Sequence, residues 1–289
     1  MSGQFVRRGL VRLSLGLCLV MALGGFQSLE ALFAPKAELW PRWQAHDPKS
    51  TQSIDHGAWA GFLRRYLRPG TDGIARVAYG AVGGEDRARL DAYLAMLEAV
   101  PVDRLSRPEQ RAFWINLYNA ATVRLILDHP AAASIRDIDI SPGLFADGPW
   151  GKKLLQVADV ALSLNDVEHR ILRPIWRDPR LHYAVNCAAL GCPNLQAEAF
   201  TAANTERLLE AAARAYVNHP RGVMVDGQRL VVSSIYVWFQ EDFEGTDRGV
   251  IRHLKRYAEA PLAAALGGVE RIDGHAYDWR LNAVAGVSN

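Results

Sequence analysis

Cys187 ends the run His182-Tyr-Ala-Val-Asn186 and opens a stretch of small residues that reaches Gly191 and Cys192. A thiol placed at such a point is a nucleophile for acyl transfer once a nearby imidazole takes its proton. If Ala188-Ala-Leu190 begins a helical turn, its N–H groups lower the thiol pKa and serve an oxyanion. The imidazole and a carboxylate are offered together by Glu168-His169. On a helical wheel Leu164, Val167, Ile171 and Leu172 form the apolar face, with Glu168 inside that stripe and His169 at its edge. A carboxylate on a core-facing stripe must be paired or carry a raised pKa. Asn116 and Asn119 lie one turn apart on a helix that is apolar on nearly every side. A buried primary amide must find partners, so these two either brace a backbone or orient the imidazole.

The same residues carry plainer readings. Cys187 and Cys192 could close a small disulfide loop, and a lone histidine beside an apolar stripe is commonly structural. His169, His182, Cys187 and Cys192 together match no standard zinc spacing, so no metal is expected, and no cofactor. Trp114, Tyr118, Asn186 and His182 flank the candidate residues and are the positions expected to touch substrate.

These groups need elements to hold them. Ile54 to Leu67 has helical spacing and stops at Pro69-Gly70; Ile74 to Tyr79 reads as a short strand. A helix follows Gly83-Gly84, and Pro108 suits the first turn of a long helix to about Asp128. Leu154 to Leu162 carries a strand, and Ser163 opens a helix that Pro174 closes. Leu181 to Asn186 alternates in period two and reads as a strand running straight into Cys187. Thr205 to Val217 is helical, and residues 223–232 form a hairpin through Asp226-Gly227. Asp247 to Leu266 reads as one long helix and Ala276 to Leu281 as a last strand. Helices and short strands mix without a β-α-β rhythm, so the class is α+β in a single domain.

With 289 residues, 49% apolar and 22% charged, the chain can bury a large core and is neither disordered nor fibrous. Thirty-three basic against 31 acidic residues is too even for a dedicated nucleic-acid binder. Fingerprints for dinucleotides, P-loops, zincins, dithiol C-x-x-C and α/β-hydrolases are absent. Arg7, Arg8 and Arg12 precede an uncharged apolar run, Leu13 to Phe26, shorter than a membrane span. That is the form of a secretory signal over 1–24, with cleavage after Ala22-Leu23-Gly24. An uncleaved anchor in the inner membrane, facing the periplasm, is the alternative. Residues 25–53, with Pro35, Pro41 and Pro48, read as a linker, and 54–289 as the domain.

Three runs in this order resemble the family known as domain of unknown function 547. They are F-W-I-N-x-Y-N at Phe113 to Asn119, V-E-H-x-I-L-R at Val167 to Arg173, and Y-A-x-x-C at Tyr183 to Cys187. The bacterial form also ends in Y-D-W-x-L-N, here Tyr277 to Asn282. The resemblance implies an exported α+β module in which Asn116, Asn119, Glu168, His169 and Cys187 are the recurring polar positions. Catalysis would then be similar in logic to papain-like or transglutaminase-like cysteine enzymes, although His169 precedes Cys187, the reverse of their usual order. A triad is defined by geometry rather than chain order.

The expectation is an exported cysteine hydrolase or acyl transferase acting on an amide or ester of the cell envelope. Cys187 would attack, His169 would shuttle the proton, and Glu168, Asn116 or Asn119 would orient the imidazole. The alternative is a non-catalytic envelope binding or assembly module in which Cys187 and Cys192 are structural. Neither reading calls for nucleic acid. N-terminal sequencing of protein from the native host should find a chain that begins after Met21; abundant cytoplasmic protein retaining Met1 or Ser2 would refute export.

Overall fold

The computed structural model describes residues 34–143 and 148–284; the expected signal and the start of the expected linker lie outside them. Helix α1 (Gly57–Tyr66) buries Trp59, Phe62, Leu63 and Tyr66, the face that its spacing foretold. Strands β1 (Leu67–Pro69) and β2 (Ala75–Val77) pair antiparallel. Helix α2 (Gly84–Glu98) sets Glu85 and Asp86 in its first turn, favourable at the positive end of the helix dipole. It buries Leu90, Tyr93, Leu94 and Leu97. Helix α3 (Arg107–Asp128) has Pro108 in its first turn and is buried along nearly all its length, as its unbroken apolar surface requires.

Strands β3 (Leu155–Val157) and β4 (Val160–Leu162) form a hairpin where a single strand was expected. Ala158 and Asp159 make its turn with positive φ. Next comes the largest departure from ordinary geometry: Asp166–Leu172 is a π-helix, running on into α4 (Arg173–Trp176). The expected period-two strand over Leu181 to Asn186 is not one. Pro179–Tyr183 is a 3-10 helix whose start is capped by the Asp178 side chain accepting from the Arg180 N–H. The alternation has another cause. Leu181, Ala184 and Val185 face the larger apolar core, whereas Tyr183 faces a second one.

Helix α5 (Thr205–Val217) and strands β5 (Val223–Asp226) and β6 (Arg229–Ser233) follow, as expected. Short helix α6 (Ile235–Trp238) leads to α7 (Asp247–Tyr257) and α8 (Ala260–Ala265). The single helix expected over 247–266 is therefore broken. Pro261 has no N–H for the Tyr257 carbonyl four residues back and its ring would clash with that carbonyl, so the first helix ends at Tyr257. Strand β7 (Gly274–Ala276) adds parallel to β6. Beyond it, where a strand to Leu281 was expected, the chain makes isolated bridges through Arg280, Leu281 and Ala283. The class is α+β. Among the described residues no helix is long and apolar enough to cross a membrane.

Residues 34–53, within the segment expected as a linker, are irregular apart from a 3-10 turn at Pro41–Gln44, but they are docked. Pro174 has no N–H, so it cannot serve the Arg170 carbonyl four residues back or the His169 carbonyl five back. Those two carbonyls accept instead from the Trp40 and Glu38 N–H groups, at 3.0 and 2.9 Å. Trp40 lies under the Arg170 guanidinium, 4.4 Å from ring centre to Cζ. Trp43, 5% exposed, meets Trp114 edge-on at 5.1 Å. Trp43→Ala should cost about 3–5 kcal/mol in urea unfolding, the range for emptying a buried aromatic site. A loss below about 1 kcal/mol would show that this segment does not hold to the domain.

Candidate active site

The π-helix positions the site. Its wider turn brings Glu168 and His169 inward together, and Asp166, Glu168, His169 and Arg173 are all buried beside four fully buried apolar residues. A two-sided helix would have left some of these charges in water; isolated π turns are frequent at functional sites. Asp166 is held by the Ser163 hydroxyl and Lys153.

Glu168 stands at the centre. One carboxylate oxygen is 3.8 Å from His182 Nδ1, and the other is 4.0 Å from His169 Nε2. The Tyr118 hydroxyl lies against the same carboxylate; burial first, then the Glu168 charge, pushes the phenol pKa well above its usual value. His182 lies flat on Phe239, ring centres 4.6 Å apart and planes 10° from parallel. Its Nε2 is 2.7 Å from Asp242 Oδ2, so one imidazole bridges two carboxylates. Burial alone would raise the Asp242 pKa, but His182 and Arg173 together outweigh it and hold the carboxyl at about 2.

His169 is differently employed. Its Nδ1 is 3.0 Å from Arg173 Nη1. A guanidinium only donates, so Nδ1 accepts and the ring is neutral with its proton on Nε2. Burial, reinforced by the Arg173 and His182 charges, lowers its pKa to about 4. The expected general base thus has one nitrogen covered by a cation and the other turned to Glu168. Arg173, 3% exposed, also binds Asp242, Glu241 and the Pro35 carbonyl at 2.6, 2.8 and 2.8 Å.

Cys187 sits in a loop braced by amides. Asn119 donates to the Ala184 carbonyl and accepts from the Asn186 N–H, both at 2.8 Å. Asn186 in turn donates to the Pro193 carbonyl and accepts from the Ala188 N–H. That last bond supports Ala188 at φ +59°, an uncommon backbone for a residue with a side chain. Asn116 clips the Phe200 backbone through both its amide atoms. The amides of Asn116 and Asn119 therefore brace loops and do not contact an imidazole. Trp114 is fully buried between Trp43 and Phe113, away from any surface that a substrate could reach.

No helical turn opens after Cys187, so the expected oxyanion cradle is not formed. The Leu190 and Gly191 N–H groups donate to the Arg280 and Asp278 carbonyls, and the Cys192 N–H to the Ala189 carbonyl. The sulfur itself is joined to Cys192 in a disulfide and lies 3.0 Å from the Tyr277 hydroxyl. Among the described residues no hydrogen bond joins Cys187 to His169 or His182. The Tyr277 hydroxyl lies against both sulfurs and within the field of Glu168. Burial, then the charges of Tyr216 and Glu168, raise its pKa well above the usual value.

Three residues of the cluster had no role assigned from sequence: Arg173, Asp242 and Tyr277. Arg173 and Tyr277 stand inside the runs quoted above, and Arg173 lies one turn beyond His169. Asp242 has no local signal in Gln240-Glu-Asp-Phe243. Among the described residues no set of three His, Cys, Asp or Glu is arranged to hold a metal ion.

Burying a histidine in neutral form makes stability depend on pH. The folded pKa of His169 lies below the usual 6.5, so unfolding takes up a proton between about pH 4 and 6.5. Stability is therefore lost as pH falls through that window. His56 and His253, also lowered to about 4 by burial, act in the same direction. His169→Gln, which can still accept from Arg173, should flatten the slope of unfolding free energy by about 1.4 kcal/mol per pH unit there. An unchanged slope would show that His169 is not buried neutral.

No curated protein and no solved structure matches the chain. A family model does match residues 102–217, a span that holds α3, the π-helix and the Cys187 loop but ends before Asp242 and Tyr277. Residues 102–217 match the model of the family described as Protein of unknown function, DUF547.

Proposed function

We propose that the protein is an exported cysteine-dependent hydrolase or acyl transferase acting on an amide or ester of the cell envelope. The observation that carries this reading is the sulfur of Cys187, a partly exposed residue, 3.0 Å from the Tyr277 hydroxyl, whose phenol feels the charge of Glu168. Beyond Glu168 stand His182 and Asp242, an imidazole oriented by a carboxylate. The logic is that of papain-like and transglutaminase-like enzymes, with His182 in place of His169 as the imidazole that exchanges protons.

In this scheme a dithiol first reduces the Cys187–Cys192 bond and is itself oxidised to a disulfide, leaving both cysteines as thiols. The Cys187 thiolate attacks the carbonyl carbon, a C–S bond forms, and the tetrahedral oxyanion expels an amine or alcohol. The leaving group takes its proton from the Glu168–His182 pair. Water or a second amine or alcohol then attacks the thioester, its proton returns to that pair, and the thiolate leaves. A second reading is favoured by the disulfide itself: an envelope binding or assembly module in which Cys187–Cys192 only fastens the loop.

Alkylation and a chromogenic ester separate the two readings. In protein reduced by dithiothreitol, Cys187 should react with iodoacetamide at roughly pH 6, where an ordinary thiol of pKa 8.5 has nearly stopped. Para-nitrophenyl acetate should give a burst of one nitrophenol per reduced molecule. Oxidised protein and Cys187→Ala should give none, and His182→Gln should slow the burst at least about tenfold. An ordinary thiol profile with no burst in folded, reduced protein would leave the module reading in place.

A further inference from the structure

The two ends of the Cys187–Cys192 disulfide stand in different surroundings. Cys187 is partly exposed, whereas Cys192 is only 3% exposed. The inner sulfur is also the better solvated by protein. Cys192 Sγ accepts from the Cys187 N–H at 2.9 Å, and the Tyr277 hydroxyl stands between the two sulfurs, 3.1 Å from Cys192 and 3.0 Å from Cys187. Burial and neighbouring charge keep Tyr277 protonated, so its O–H remains a donor above neutral pH. In disulfide exchange the attacked sulfur must be reachable, and the departing sulfur leaves faster the better its negative charge is held. Here reach belongs to Cys187 and charge stabilisation to Cys192.

The loop also keeps both cysteines in place once the bond is cut. The Gly191 carbonyl accepts from the Tyr216 hydroxyl at 2.6 Å, and the Gly191 N–H is held by Asp278. A Cβ on Gly191 would meet the Asp278 nitrogen at 2.8 Å and the Tyr277 ring at 3.0 Å, so the backbones here are in close contact. The Asn186 bond to Pro193 closes the loop from its other end.

We propose that Cys187–Cys192 is a thiol–disulfide exchange site, at which an incoming thiol attacks Cys187 and expels Cys192 towards the Cys187 N–H and Tyr277. The partner is a dithiol, either small or carried on another protein. Its first thiolate forms an S–S bond to Cys187 as the Cys187–Cys192 bond breaks, and the electron pair departs on Cys192. Its second thiolate attacks the partner sulfur of that mixed disulfide, and Cys187 leaves as a thiolate. The partner ends as a disulfide, two electrons have passed to this protein, and both cysteines are reduced. The inference stands apart from acyl transfer: exchange needs no His182, and it holds whether or not Cys187 also attacks carbonyl carbon.

The test uses folded, oxidised protein and glutathione as the attacking thiol, quenched with acid and mapped by peptide mass. Glutathione should be found on Cys187, with Cys192 as the free thiol. Cys192→Ser treated with glutathione disulfide should hold the same adduct on Cys187. Tyr277→Phe should slow opening by dithiothreitol about tenfold, the scale of one hydrogen bond to a charged sulfur. In the reduced Tyr277→Phe protein Cys192 should also titrate at higher pH than in wild type, a shift that a purely structural role would not produce. Glutathione on Cys192, opening that requires urea, or an unchanged Tyr277→Phe rate would each overturn the proposal. None of these readouts depends on ester hydrolysis, so a missing nitrophenol burst leaves the exchange result intact.

Discussion

A missing hydrogen atom organises this structure. Pro174 gives no N–H to the turn before it, and the helix bearing Glu168 and His169 would otherwise end with two uncapped carbonyls in a buried place. Leaving such groups unpaired costs roughly 1–3 kcal/mol each. The chain answers with an extended segment from far upstream, whose Glu38 and Trp40 N–H groups take those two positions. The wide π turn and the docked segment are thus two parts of one solution. Arg173 fastens it, reaching the Pro35 carbonyl, His169 and the Glu241–Asp242 pair from one buried guanidinium.

That guanidinium also decides which histidine is which. Two imidazoles flank Glu168, and sequence proximity favours His169. Burial, with the cation beside His169, keeps that ring neutral down to about pH 4. His182 instead has a carboxylate on each side, Asp242 at 2.7 Å and Glu168 at 3.8 Å. The His182 ring thus turns both nitrogens to carboxylates, whereas the His169 ring turns one nitrogen to a guanidinium. Burying charges this densely is tolerable only because nearly every one has a partner.

Much of this was legible in the sequence where one rule acted alone. The stripes of α1 and α2, the Pro108 start of α3, the 205–217 helix and the 223–233 hairpin followed from periodicity and turn chemistry. Periodicity failed where a segment serves two cores. Leu181, Tyr183 and Val185 alternate because they lie between two apolar clusters, and the same spacing in a one-core domain would be a strand. The π-helix was hidden for a related reason, since a wheel drawn at 100° per residue assumes the very geometry that Pro174 and the upstream segment alter. Of the site, Glu168, His182, Tyr118 and Cys187 could be singled out by type and neighbourhood. Asp242 could not, because its partner lies 60 residues away, and Tyr277 stood in a quoted run with nothing to show that its partner is Cys187, 90 residues back.

The docked upstream segment has a consequence for the order in which the molecule assembles. Ala37 bonds Glu241 across 204 positions of sequence, and Tyr79 bonds Asn282 across 203. Contacts of such separation form late, because the chain entropy of closing the loop must be met before they give anything back. Helices α1 to α3 can pack from nearby sequence, but the surroundings of Glu168 wait for both ends of the described chain. During synthesis the earliest of these residues must therefore remain undocked until nearly the last have emerged. The cluster around Glu168 is therefore the last part of the described chain to come together, and a chain cut short before Tyr277 would build most of the main core around an unfinished cluster.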